Sequence, residues 1–427
     1  MTQPSRDTNS PAIDGLLSRV IDFYLSSRDF NGLYFHRESP GNVAEAIQLI
    51  EAGQIQAVSS DDYLNIHIRP WPSRRSVENQ IDDVRTAPDA DFGICLYPTA
   101  AAMADYNLGG MHADQPYSLQ MAKGRGTLEL AYFRFDVLEP YRNDPRFDFR
   151  FTDFGANVSI SNEVYLDDNE ADDDKISIGH IGFAYDLSQY DENDPNSTIV
   201  RRVCAFFCDL SKLSSTHQQR WRTYQVPDAP NLKPHPIWFR QQMGHWPDGL
   251  GPFERLFFEL RTWNELHQRA FDEDLLRVTE RPTGLGWILR ASQTEYDSFV
   301  HELDKLLSDN IRHKALDSLG AAKKNENGDP LGTLARLDDA LTKLHADEDG
   351  RKHVLKPLKE VRRLRQRPAH GVNTNITDST FIHRQAALLQ QVTEAVENLR
   401  HFWQTHPKNR DWEEPDYVRS DAKRYWL

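Results

Sequence analysis

The chain has 427 residues and a formal net charge of -15, long enough for two or three domains with their own cores and too acidic for a protein that coats nucleic acid generally. Three cysteines, Cys95, Cys204 and Cys208, are too few and too scattered for a disulfide framework or a zinc site. No run of about 18 apolar residues exists, and the opening Met1-Thr2-Gln3-Pro4-Ser5-Arg6 lacks the apolar core of a signal peptide. A cytoplasmic protein with reduced thiols, no metal and no membrane partner is therefore expected.

Ser10-Pro11 is a helix-start signal, and Ile13, Leu16, Leu17, Val20, Ile21 and Tyr24 supply the apolar stripe of that helix. Ser39-Pro40 starts a second helix, carried by Val43, Ala46, Ile47 and Ile50 and stopped by Gly53. Strands over 55–58 and 63–68, joined by Ser59-Ser60-Asp61-Asp62, complete a helix-hairpin region over 1–90 with the outline of a winged-helix unit. Arg69-Pro70-Trp71-Pro72 and Arg74-Arg75 follow. Arginines interleaved with an aromatic ring suit a phosphate backbone, which makes Arg69, Arg74 and Arg75 candidate RNA contacts; the alternative is a solvated loop around a packed tryptophan.

Alternating stretches at 92–97, 127–137, 147–151, 156–166 and 176–185 predict a mostly antiparallel sheet, with Tyr132, Phe133 and Phe135 making the second unusually aromatic. The acidic run 167–174 lacks the central glycine and final glutamate of a calcium loop and reads as a solvated hairpin tip. Cys204 and Cys208, evenly spaced in the apolar run 203–210, are expected on one strand face as core thiols. A helix beginning near His217 should cover the sheet with Trp221 packed. The β-rich region thus spans 91–226, and Pro227, Pro230, Pro234, Pro236, Pro247, Gly249 and Pro252 mark a linker over 227–252.

The second half reads as helical. Phe253, Leu256, Phe257, Leu260, Trp263, Leu266 and Ala270 form one broad stripe, and a single long helix is predicted over 294–319 with Phe299, Leu303, Leu306, Leu307, Ile311 and Leu316 inward. A third helix carries Leu334, Leu337, Ala340, Leu341 and Leu344 and is ended by Asp347-Glu348-Asp349-Gly350. The last, capped by Asp378 or Ser379, runs through Phe381, Leu388, Val392, Val396, Leu399 and Trp403. Helices over 253–405 with short connections suit a bundle, followed by a charged, aromatic tail over 406–427. The fold class is α+β: a mixed N-terminal region with antiparallel strands and an all-α C-terminal bundle.

Chemistry is most pointed in Arg362-Arg363-Leu364-Arg365-Gln366-Arg367-Pro368-Ala369-His370-Gly371. Leu355, Leu358, Val361 and Leu364 recur every three positions, so one face of this helix is packed and the other is cationic. Pro368 lacks the N–H that would reach the carbonyl of Leu364, and Gly371 follows the histidine, so the helix distorts or stops there. Positive neighbours push an imidazole's pKa down, favouring the neutral form that accepts a proton at about pH 7, while the arginines suit a phosphate. In an unbroken helix Arg365 lies about 140° from His370, and Arg363 lies nearly in line with it, about two turns away. Pro368 spoils that geometry, which leaves Arg365 the first candidate and Arg363 the second. Glu360 either pairs with Lys356 or orients an arginine. The plain alternative is a solvated basic helix end whose histidine caps the last carbonyls.

The spacing Arg365-x4-His370, equally readable as Arg363-x6-His370, resembles the Arg-x(4 to 6)-His motif of HEPN domains, over residues 290–405. Gln366 stands where the family often has Asn or another small polar residue. The resemblance implies a HEPN-like helical bundle and metal-independent RNA cleavage without a cofactor, with His370 and Arg365 or Arg363 catalytic and Arg362 and Arg367 contacting RNA. One histidine does not conveniently serve as both base and acid, so a homodimer with facing sites is implied, leaving 2′,3′-cyclic phosphate and 5′-hydroxyl ends. Such a chain is expected to be a toxin or phage-defence effector with an N-terminal sensing or regulatory region and a protein trigger or antitoxin as partner. The other reading is a non-catalytic binding or scaffold protein in a defence or toxin–antitoxin complex.

Overall fold

The computed structural model describes residues 15–35, 42–63, 65–71, 75–86, 93–167, 171–189, 199–245, 249–366 and 375–415. The expected helix start at Ser10-Pro11 and the second at Ser39-Pro40 lie outside them. Nine strands run through the described residues: β1 (Leu33–Tyr34), β2 (Ile55–Ser59), β3 (Ile94–Pro98), β4 (Leu130–Arg134), β5 (Phe147–Phe151), β6 (Gly155–Ile160), β7 (Ser177–Asp186), β8 (Val200–Phe206) and β9 (Leu232–Pro234). The chain forms two compact units, one of 1–137 with 158–234 and one of 138–157 with 235–427. Antiparallel strands lie in the N-terminal half and helices dominate the C-terminal region, which is an α+β architecture.

In the first unit, α1 (Leu16–Ser26), α2 (Asn42–Glu51) and α3 (Val77–Thr86) bury their stripes with a three-stranded sheet in which β3 lies between β1 and β2. Leu16, Val20, Ala46, Ile50, Ala57, Val84 and Leu96 form that core. The winged-helix hairpin is corrected here. Residues 63–68 form no strand among the described positions; β2 pairs instead with β3, with Ala57 opposite Leu96. Backbone groups of 66–67 bond elsewhere: Tyr97 Oη donates to the carbonyl of Ile66 at 2.9 Å, and the Gly32 N–H to that of His67 at 3.3 Å. Gln80 of α3 ties down β2 by accepting the Ala57 N–H at 3.0 Å.

β8 pairs antiparallel with β4 and β7, and β9 adds to β7. α4 (Ser215–Tyr224), capped by the Ser214 hydroxyl, buries Trp221 edge-on against Phe133 of β4, as the sequence leads one to expect. Three expectations shift. β4 gives way at Phe135 to a 3-10 turn, β6 stops at Ile160 before the short helix Asn162–Tyr165, and Cys208 falls beyond β8 in the helix Phe207–Ser211, while Cys204 is buried in the strand. Nor is the acidic run simply a solvated tip: Asp172–Asp174 form a 3-10 turn, and Asp174 Oδ1 lies 2.9 Å from Nε2 of buried His217.

The second unit is built on α5 (Pro252–Phe271), whose whole predicted stripe is buried. Its N-terminus is capped by Asp153, which accepts the Glu254 N–H at 3.0 Å and pairs with Arg281 at 2.8 Å. The single helix expected over 294–319 is broken. α6 (Gln293–Asp304) passes into a π turn over Lys305–Asp309, and a separate helix follows at His313–Ser318. Asn310 is the cause of the break: its Oδ1 accepts the N–H groups of Arg277 and Val278 at 3.0 and 2.7 Å, and its Nδ2 donates to Val278, pinning the chain to an extended segment. α7 (Thr333–Lys343) comes next. The acidic run after it starts α8 (Glu348–Gln366), with Asp347 accepting the Gly350 N–H at 2.7 Å. α9 (Thr380–Gln404) packs along α5 and α8, with Trp403 edge-on to Trp263. No helix among the described residues is long and apolar enough to cross a membrane.

Candidate functional site: an arginine pair on a buried carboxylate

α8 buries Leu355, Leu358 and Val361 against its neighbours, which turns Arg362 and Arg365 toward the end of α6. Both reach one oxygen. Arg362 Nη1 lies 3.0 Å from Asp304 Oδ2, and Arg365 Nη1 donates to the same Oδ2. Asp304 is 0 % exposed, and its other oxygen accepts the Ser308 hydroxyl at 2.9 Å, so both of its oxygens are hydrogen-bonded. The π turn begins directly after Asp304; such turns often mark functional positions because the widened backbone re-aims the side chains around it.

The electrostatics follow from burial. A solvent-free carboxylate strongly favours a charge-assisted pair, and its hydrogen bond raises the Arg365 pKa above the ordinary guanidinium value. One buried negative charge faces two positive ones, and the arginine side chains remain 38 % and 31 % exposed. Asp309, the last residue of the π turn, stands 3.9 Å from Arg362 and 3.8 Å from Arg365. A planar guanidinium with five N–H donors, fixed at one nitrogen and open to water, is well suited to receive a phosphate oxygen.

Other predicted residues separate from this pair. Arg363 points elsewhere and forks onto Glu360, with Nε 2.6 Å from Oε2, so Glu360 orients that arginine. His370, Arg367 and Arg74 lie outside the described residues. Arg69 is corrected as an RNA contact: it is buried in the first unit, donating to Gln56 Oε1 at 3.0 Å and the Gly124 carbonyl at 2.7 Å and lying over the Tyr97 ring. Arg75 is likewise held between Asp62 at 3.1 Å and Asp83 at 2.7 Å. Those two guanidiniums organise a loop.

Sequence reasoning missed Asp304. A signal was present, because Asp304 falls at helical spacing on the same face as Val300 and Leu307, and an acid on a packed stripe calls for a cation from elsewhere. No family model, curated protein or solved structure matches the chain.

Proposed function

We propose that the C-terminal unit is a metal-independent endoribonuclease of HEPN type, serving in the cytoplasm as a toxin or phage-defence effector whose N-terminal unit senses a trigger or restrains it. One observation supports this reading above others: Arg362 and Arg365, in the last turns of α8, converge on buried Asp304, and His370 follows Arg365 by five positions in the sequence. In this chemistry His370 takes the proton of a ribose 2′-hydroxyl, and the 2′-oxygen bonds to phosphorus. The P–O5′ bond breaks, and the leaving 5′-oxygen receives a proton from the second His370 of a homodimer. The arginines offset charge gathering on the non-bridging oxygens.

A non-catalytic HEPN-like scaffold is the second reading, favoured by the fact that an inner carboxylate holding two arginines also makes a structural staple. Labelled single-stranded RNA incubated in EDTA with wild type and His370→Ala separates the two. Cutting by wild type into cyclic-phosphate ends, reduced about 100-fold or more by the substitution, supports the nuclease. Equal cutting by both, or none under activating conditions, supports the scaffold, and a metal requirement overturns the mechanism.

A further inference from the structure

The same two Nη1 atoms of the arginine pair face a second carboxylate, arranged unlike the first. Asp304 meets both guanidiniums with one buried oxygen, whereas Asp309 presents Oδ1 to Arg362 at 3.9 Å and Oδ2 to Arg365 at 3.8 Å. The two non-bridging oxygens of a phosphodiester can address an arginine pair in the same way, one oxygen to each guanidinium. Both distances exceed a hydrogen bond, and the Asp309 side chain is 54 % exposed, so this contact is loose and open to solvent. Its backbone is not loose: Asn310, the next residue, is bonded to Arg277 and Val278.

Charge points the same way. Two arginines against Asp304 alone leave one positive charge in excess, and Asp309 cancels it. A phosphodiester carries the same single negative charge and would cancel it equally.

We propose that Asp309 is a displaceable stand-in for phosphate: its carboxylate stands beside the Nη1 atoms of the Arg362–Arg365 pair, and a backbone phosphodiester of single-stranded RNA binds by taking its place. The choice of RNA as ligand rests on the nuclease reading; the competition belongs to the four side chains. Asp309 therefore sets how tightly the site holds a nucleic acid and weakens its hold on incidental anions.

The test is fluorescence anisotropy of a labelled, uncleavable 2′-O-methyl oligonucleotide titrated with the full chain. Asp309→Asn, nearly isosteric and neutral, is expected to bind about fivefold tighter, with a salt dependence steeper by nearly one counterion. The gain must vanish when Arg365→Ala is added. It must also be absent from Glu348→Gln, which removes one exposed acid at the far end of α8. Unchanged or weaker binding by Asp309→Asn, an equal gain from Glu348→Gln, or a gain that survives Arg365→Ala each overturns the proposal. Inorganic phosphate as competitor distinguishes sources: a diester seat is cleared by excess unlabelled oligonucleotide at concentrations where phosphate has little effect. Cleavage is read separately. Tighter binding by Asp309→Asn in a chain that cuts no RNA keeps the seat and removes the nuclease; cutting by wild type without tighter binding does the reverse.

Discussion

Between α5 and α9, Glu259 holds Arg400 at 2.9 Å and Arg255 at 2.9 Å; between α6 and α8, Asp304 holds Arg362 and Arg365. The ingredients match, one buried acid with two arginines, but their surroundings differ. Arg400 is 1 % exposed, and its other nitrogens reach Gln404 at 3.3 Å and Glu414 at 3.0 Å, while Arg255 reaches Glu397 at 3.0 Å. Acid outnumbers base there, and Arg400 and Glu259 are both shut away from solvent. At Asp304 the balance is reversed until Asp309 is counted. A cluster whose central arginine is buried and surrounded by acids fastens two helices; one whose two arginines stay partly exposed over a single buried acid retains room for a ligand.

The largest effect should come from opening the closed cluster. Glu259→Ala leaves buried Arg400 without its inward partner, and urea unfolding should show a loss of about 3–5 kcal/mol. RNA binding per folded molecule should not change. If instead stability is retained and binding falls, the roles of the two clusters have been assigned the wrong way round.

A smaller effect, reached through pH, probes the same seam. His267, on α5 two turns beyond Glu259, is buried and accepts the Trp403 Nε1–H on its Nδ1 at 3.0 Å, and burial pushes its pKa down to about 4. A depressed histidine contributes stability that is present above its unfolded pKa of about 6.5 and lost as pH falls through about 4. Glu259 has the opposite sign: burial outweighs its arginines and raises its carboxyl, so its contribution fades as pH rises through that raised value. Acidification from pH 6.5 to 4 should therefore cost on the order of 3 kcal/mol through His267, and His267→Gln should flatten that limb of a melting-temperature profile. An unchanged limb would place the acid sensitivity in another group.

How much of this was legible in the sequence depends on how far each residue reaches. The stripes of α5 and α9 follow from 3.6-residue spacing alone, and the α+β division follows from where that spacing replaces alternation. β2 was assigned the wrong partner because pairing with β3, far along the chain, is a long-range choice that no local turn encodes. The break after α6 depends on Asn310 meeting Val278, and the site on Arg365 meeting Asp304, 61 residues earlier. The sequence supplied the arginines and the histidine but not the carboxylate that selects among them, since a buried acid becomes intelligible only when its cation is seen. Arg69 misled for a related reason: an arginine beside an aromatic reads the same whether it faces a phosphate or is buried against Tyr97.

The smallest predicted effect is the most discriminating for the motif, because Arg363 and Arg365 are both spaced to read as its arginine. In a regular helix Arg363 aligns with a residue seven positions on better than Arg365 aligns with one five positions on, and only the break expected at Pro368 put Arg365 first. Packing separates the two independently of that break. Arg365 is drawn to Asp304 beside Arg362, whereas Arg363 is half-exposed and forked onto Glu360 on its own helix, the sort of surface pair that contributes little. Arg363→Ala is accordingly expected to leave oligonucleotide binding and any RNA cleavage within about twofold of wild type, with an unchanged unfolding midpoint. Arg365→Ala should lower both activities about tenfold or more, since it removes a charge-assisted phosphate contact. A profile in which Arg363→Ala is the damaging substitution would show that helical alignment with His370, rather than anchorage on the buried carboxylate, selects the working guanidinium, and the open cluster would then be a second staple like the one around Glu259.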